Sequence, residues 1–525
     1  MRNTMLGVAG ILGTCFWACS GSNDATNGAH SGTGGSIAGT GGSSAGTGGS
    51  TGGSGGLSTG GYSGSAGASS GGSGNGPGAG GSPPGADAGA PDAAPPACET
   101  LDPAKDAIFY LSADDSNSMA SPAIARWHLD HGQMVPAWVI RTFEFLNYYN
   151  VGYPAAPSGT LSITTELQPG ELESYELQIG VAAPAAAKPR RPMNLTFVLD
   201  TSGSMAGEPM SRQKSALLAI AGQLKQGDTV SMLTWNTVNN LELDSHVVLG
   251  PNDPVVTAKV NALSAGGGTN LSGGLQKGYQ IAQKNFVANE LNRVVLISDG
   301  MANVGVVDEN VIGDGAKLND GDGVYLVGVG VGSGVNDMLM NVVTDLGRGA
   351  YVYLDRPEEA GKIFGPRFDE VMDVAARSVQ VELQLPWYMA ISKFHGEEFS
   401  TNPEEIEPQH LAPNDAMVFN QIVRPCDPAV FSVDDQVQVT TRWQTPGTHQ
   451  NKETQTSITL GQLLAATPKY LPKAKAIIAY AEALKTQSQA KLDEAMALVE
   501  AADPAHTDPE LLEIAALLQK ADAIY

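Results

Sequence analysis

Two hydrophobic periods alternate along the chain from residue 101 onward. Residues 108–111, 161–167 and 173–181 are short runs rich in β-branched and aromatic side chains, and each predicts a strand. Between the first two, residues 142–150 have the spacing of a short amphipathic helix, followed by Gly152-Tyr153-Pro154. From 191 to 375 the pattern changes. Runs at 195–199, 229–235, 241–249, 293–298, 324–331 and 350–354 predict strands. Helical spacing at 211–224, 271–286, 308–318, 336–346 and 357–374 separates them. Strands alternating with helices predict an α/β fold with a doubly wound, mostly parallel sheet. The runs 195–199 and 293–298 are predominantly apolar, with Val294 to Ile297 wholly so, as expected of strands covered on both faces.

After 375 strict alternation returns at 378–385, 417–423 and 436–443, so residues 376–460 predict a second β segment. We expect it to pair with residues 98–190 into one β-sandwich-like flanking domain, the α/β domain (191–375) being inserted between the halves. Residues 461–525 are rich in Ala, Leu, Lys and Glu with helical spacing, broken at Asp503-Pro504. They predict a C-terminal segment of two or three helices, expected to pack on the β domain.

The first hundred residues have a different composition. Arg2 and the apolar stretch from Met5 to Ala18 have the form of a targeting segment over residues 1–19. It ends at Ala18-Cys19-Ser20-Gly21, which has the form of a lipoprotein signal with Cys19 as the acylated residue. Cys15 is a competing position, and an ordinary secretory peptide is the other option. Residues 20–97 are Gly, Ser, Thr, Ala and then Pro, with too few apolar side chains to offset the entropy of ordering. Such a tether has a root-mean-square span of about 50 Å. It has no strict G-x-y period, which excludes collagen. No later run has the length and apolarity of a transmembrane helix, which argues against a pore. The net charge of −25 argues against nucleic acid and against adsorption to anionic lipid, so the expected membrane contact is the lipid anchor alone. The expected location is the cell envelope, at the outer membrane or cell surface, with free secretion as the alternative. Beyond the targeting segment only Cys98 and Cys426 remain, one on each side of the α/β stretch. In an oxidising compartment they invite a disulfide, which could contribute about 5 kcal/mol in the chain-entropy model; two free thiols are the alternative.

The chemistry gathers at the strand tips. The run 195–199 ends in Asp200-Thr201-Ser202-Gly203-Ser204, the run 293–298 ends in Asp299, and the glycine-rich stretch 266–274 offers Thr269 just before a helix. Open α/β sheets bind ligands outside their strand carboxyl ends, and oxygen donors of this kind suit a hard dication. Asp200 and Ser202 could instead cap the following helix, but capping leaves Thr269 and Asp299 unexplained. No G-x-G-x-x-G follows the first strand, and an acidic tip there disfavours a dinucleotide.

With these residues in order, the chain resembles the von Willebrand factor type A (vWA) family. Its metal-ion-dependent adhesion site reads D-x-S-x-S, then T, then D, matched here by Asp200, Ser202, Ser204, Thr269 and Asp299. The segment before this domain and the helical tail resemble a bacterial lipoprotein branch often labelled calcium-activated chloride channel homologues. The resemblance implies a bound Mg²⁺, or another divalent cation such as Mn²⁺ or Ca²⁺. It also implies a protein partner whose exposed acidic residue completes the coordination. With two carboxylates and three hydroxyls, some reaching it through water, a dication keeps positive charge and an exchangeable position, which favours adhesion over catalysis. Hydrolysis would need an activated water and a placed base, or a second metal, so no enzyme activity is expected. A subunit that assembles or regulates an envelope complex is the alternative. His128 and His131, either side of Leu129-Asp130, are expected as surface histidines on a turn.

Overall fold

The computed structural model describes residues 96–300 and 323–525. The expected targeting segment with Cys15 and Cys19, the tether as far as residue 95 and the helix expected at 308–318 lie outside the described residues. The chain first forms β1 (Ala107–Ser112), helices α1 (Ala120–Asp130) and α2 (Thr142–Tyr148), and strands β2 (Ser162–Pro169) and β3 (Tyr175–Ala182). The α/β domain follows. Its strands are β4 (Met193–Asp200), β5 (Thr229–Trp235), β6 (Asn239–Val247), β7 (Leu291–Ser298), β8 (Tyr325–Val331) and β9 (Ala350–Leu354). They form one sheet in the order β6-β5-β4-β7-β8-β9, parallel throughout except for the antiparallel edge strand β6. β4 and β7 sit at the centre and are buried along their whole length.

Around this sheet lie α3 (Glu208–Gln223), α4 (Pro254–Ala262), α5 (Leu271–Lys284), α6 (Asp337–Leu346), α7 (Pro357–Ile363) and α8 (Phe368–Met372). α5 lies close against β4 because Gly278 has no side chain: a Cβ there would collide with Val198. The single helix expected over 357–374 is two, because Gly365-Pro366 lies between them. Proline removes an N–H and clashes with the preceding turn, and glycine lowers helix propensity.

The chain then returns through β10 (Ala376–Leu385), β11 (Met389–Phe394), β12 (Glu398–Ser400), β13 (Gln409–Leu411), β14 (Ala416–Pro425), β15 (Gln436–Gln444) and β16 (Asn451–Thr459). Two antiparallel sheets result, β12-β1-β10-β15-β16 with β13 beside β10, and β11-β14-β3-β2. Each mixes strands from before and after the α/β domain, which is therefore inserted in a sandwich. Phe109, Leu111, Val381 and Leu383 from one sheet share a core with Leu177, Ile179, Phe419 and Val423 from the other. Cys98 and Cys426 are disulfide-bonded, with a Cα–Cα distance of 5.3 Å.

The tail holds four helices, α9 (Leu460–Ala465), α10 (Leu471–Thr486), α11 (Gln489–Ala502) and α12 (Pro509–Asp522). The extra helix, α9, runs directly on from β16 through a capping box between Thr459 and Gln462. α9 packs on the β domain as expected, with Leu460 and Leu463 in the sandwich core, and the later helices depart from that expectation. Outside the tail itself α10 packs against α2, with Tyr480 edge-on to Phe145 at 5.4 Å, and α12 reaches α1. The sandwich contributes a smaller contact: the Glu166 carboxylate accepts the N–H groups of Lys469 and Leu471, each at 2.7 Å, where α10 begins. Where α1, α12 and the α/β domain meet, the buried Arg126 donates to Asp355, Glu359 and Glu513 at 2.7–2.8 Å.

Candidate metal centre

Asp200 is the last residue of β4, and Ser298 the last of the neighbouring strand β7. Asp299 therefore leaves the sheet one strand over from Asp200, at the same edge. Asp200, Ser202 and Asp299 are all buried, Ser204 is exposed, and Thr269 is half-buried. Asp200 Oδ1 accepts the Ser202 N–H at 2.8 Å, and Oδ2 accepts the Ser298 hydroxyl at 2.7 Å. The hydroxyls of Ser202 and Ser204 are 3.0 Å apart. From behind, Gln213 on α3 donates to the Asp200 carbonyl at 3.1 Å.

The Thr269 loop is fastened to this strand tip by main-chain bonds. Gly203 N–H donates to the Gly267 carbonyl at 3.1 Å, and Gly266 N–H donates to the Thr201 carbonyl at 2.8 Å. From the β5–β6 turn, Thr237 Oγ accepts the Gly268 N–H at 2.7 Å, and Asn236 donates to the Gly266 carbonyl at 3.0 Å. Thr269 thus stands between this anchored glycine stretch and Asn270, whose side chain caps α5 by accepting the Gly273 N–H at 3.1 Å. Ser298, Gln213, Asn236 and Thr237 were not among the expected residues. Ser298 carried a local signal, being adjacent to Asp299 at a strand end; the others are brought in by the fold.

Burial raises the Asp200 carboxyl above its usual range, and the negative charge of Asp299 adds to this; the bonds from Ser202 and Ser298 act in the opposite sense. Two acids held together away from water are an arrangement that a cation relieves. The residues present fit a hard dication: oxygen donors only, two of them carboxylates, with hydroxyls from Ser202, Ser204 and Thr269 beside them.

The two histidines lie elsewhere. His128 is in the last turn of α1 and His131 just beyond it, stacked on Trp127 at 4.3 Å, so they end a helix rather than sit on an isolated turn. His128 is half-buried, and burial lowers its pKa.

Comparison with known proteins bears on the α/β domain. The family model for the von Willebrand factor type A domain matches residues 195–302, the stretch that runs from β4 through Asp299. Over that stretch the chain matches the vWA family, and its α/β fold is of the vWA type. Among curated proteins it is similar to YfbK of Escherichia coli (strain K12), 29% identical over 291 residues, which are 53% of this chain and 50% of that protein. It is also similar to inter-alpha-trypsin inhibitor heavy chain H1 of Sus scrofa, 24% identical over 239 residues, 44% of this chain and 26% of that one. The matches span half or less of those relatives' lengths. A solved vWA structure from Catenulispora acidiphila aligns with 67% of this chain and 88% of its own, at 15% identity and a TM-score of 0.45. vWA domains usually mediate protein–protein interaction or adhesion and commonly bind a divalent metal.

Proposed function

We propose that this is a lipid-anchored protein of the cell envelope whose vWA domain holds a partner protein through a divalent cation. Asp200, Ser202, Ser204, Thr269 and Asp299 hold the ion, Mg²⁺ in the first instance, with Mn²⁺ or Ca²⁺ as substitutes. An acidic side chain of the partner completes its coordination. Bound there, the ion would supply a coordination position that these five side chains leave open to a further oxygen. The chain's own residues do the positioning: Ser202 N–H and Ser298 orient the Asp200 carboxylate, and the Gly203–Gly267 bond carries Thr269 towards it. The observation that carries the reading is the meeting of Asp200 and Asp299 at the tips of adjacent buried strands, with the Thr269 loop fastened across them. The role is binding, without turnover. Cys19 is the proposed site of lipidation, and the stretch that follows it the tether.

Calorimetric titration of the intact chain with Mg²⁺ tests the first half. Wild type is expected to bind one ion and Asp200→Ala none, with unchanged circular dichroism. Equal affinity in the two proteins would end the proposal. Affinity capture in Mg²⁺ followed by elution with EDTA tests the second half. A partner that stays bound through EDTA, or binds Asp200→Ala equally well, would place recognition on another surface.

A further inference from the structure

The sandwich sheet β12-β1-β10-β15-β16 buries one face in the core and turns amides and hydroxyls outward on the other. Its register places Ile108 opposite Gln384, Gln384 opposite Gln438, and Gln438 opposite Ser457. With strands about 4.8 Å apart, this row crosses about 14 Å of surface, the scale of a short oligosaccharide. The row is organised by its own bonds. Gln438 donates to Gln384 Oε1 at 3.2 Å, and Gln384 donates to Asp106 Oδ2 at 2.7 Å. Each amide nitrogen has two N–H groups and each amide oxygen two lone pairs, so these bonds orient the groups and leave capacity for a ligand.

A surface cavity of about 200 Å³ lies over this row, bounded also by Trp387, Asp435 and Gln436. Two of its walls are held from within the protein. The buried Tyr388 donates its hydroxyl to Asp435 at 2.7 Å, and Ser457 donates to Gln436 at 2.6 Å. No lysine or arginine lines the cavity, while Asp106 and Asp435 do. A phosphate or other anion would therefore be repelled. An apolar segment would find only Trp387 and Pro386 to bury against. A sugar ring matches both kinds of wall: its C–H face packs on an indole, and its vicinal hydroxyls pair with carboxylate and amide oxygens and amide N–H groups.

We infer that this face binds a neutral oligosaccharide, with its rings along the Gln384–Gln438–Ser457 row and one ring against Trp387. The site lies in the sandwich, and its chemistry is independent of the metal centre.

The test titrates the full chain with cellotetraose, chitotetraose, maltotetraose and mannotetraose, read by tryptophan fluorescence and calorimetry, with a lysine-rich peptide as the competing ligand class. Saturable binding of at least one sugar is expected. Affinity should fall about tenfold or more in Trp387→Ala and in the double variant Gln384→Ala/Gln438→Ala, whose outward positions keep the fold intact. Asp200→Ala and EDTA should leave it unchanged, which separates this site from the metal reading. The inference is overturned by saturable binding of none of the sugars, by undiminished affinity in the double variant, or by binding of the peptide alone.

Discussion

Ser298 donates its hydroxyl to Oδ2 of Asp200 at 2.7 Å, joining the last residues of two adjacent parallel strands. With Ser202 N–H on Oδ1, both oxygens of this buried carboxylate are oriented. The bond favours the ionised form against the desolvation that raises the pKa. In Ser298→Ala the carboxyl should therefore hold its proton to higher pH, and Mg²⁺, which competes with that proton, should bind only at higher pH than in wild type. A hydrogen bond to a charged group is worth about 1.5–3 kcal/mol, so near neutral pH affinity should fall about tenfold or more. Calorimetric Mg²⁺ titrations across the acid-to-neutral range check this; superimposable curves would show that Ser298 has no part in the site.

The strand-tip acids were legible in the sequence because their signal is local: an apolar run that stops at a carboxylate. What joins the loops was not, since Gly203 and Gly267 are 64 positions apart and meet only through the fold. Among the flanking elements, β16 escaped because it is an edge strand with a polar sequence, Asn451 to Thr459, ordered by pairing with β15 rather than by a buried face. α1 escaped for another reason. It opens on Ala120, Ser121 and Pro122 and is buried through small residues, so its sequence gives little of the large apolar stripe that marks a helix. The sandwich was readable from β10, where buried and half-buried positions alternate from Val379 to Leu385.

Arg126 predicts a large loss of stability on truncation. It is 2% exposed and bonds Asp355, Glu359, Glu513 and the Tyr148 hydroxyl, linking α1, the α/β domain and the C-terminal tail. Arg126→Ala would leave buried carboxylates without their cation, a change that costs about 3–5 kcal/mol. Urea unfolding should show that loss, and limited proteolysis should cut the tail earlier than in wild type. A cost below about 1 kcal/mol would mean that the carboxylates find other partners or take up protons.

The Cys98–Cys426 bond closes a separation of 328 residues that encloses the whole α/β domain. Removing a bond of this kind raises the entropy of the unfolded chain, and a native disulfide is worth about 2–5 kcal/mol. Cys426→Ser should lower the melting temperature while leaving Mg²⁺ affinity unchanged, because both cysteines lie outside the α/β domain. A melting temperature unaffected by the substitution would remove the bond from the stability of the fold.

The acids beside β1 should make stability fall as pH rises. Oxygens of Asp114, Asp115 and Glu397 lie within 4.8 Å of one another. Glu397 accepts the Asp115 N–H at 2.9 Å and the Ser112 hydroxyl at 3.3 Å. Burial, then the charge of Asp114, pushes the Glu397 carboxyl up to about 8 from an ordinary 4.5. Burial raises Asp115 as well, with Glu397, Asp345, Glu407 and Glu398 adding to it. A folded pKa above the unfolded one means that the native state binds more protons through the interval between them. The associated stability is fully present below about pH 4.5 and is lost as pH rises through about 8. Glu397→Gln keeps the oxygen acceptor and removes the charge. Its unfolding free energy, and with it the melting temperature, should match wild type at the acid end, where both side chains are neutral, and exceed it above pH 8 by roughly 4–5 kcal/mol. Thermal melts of both proteins across that range decide the matter. Parallel curves would mean that Glu397 ionises in the folded protein no differently than in the unfolded chain.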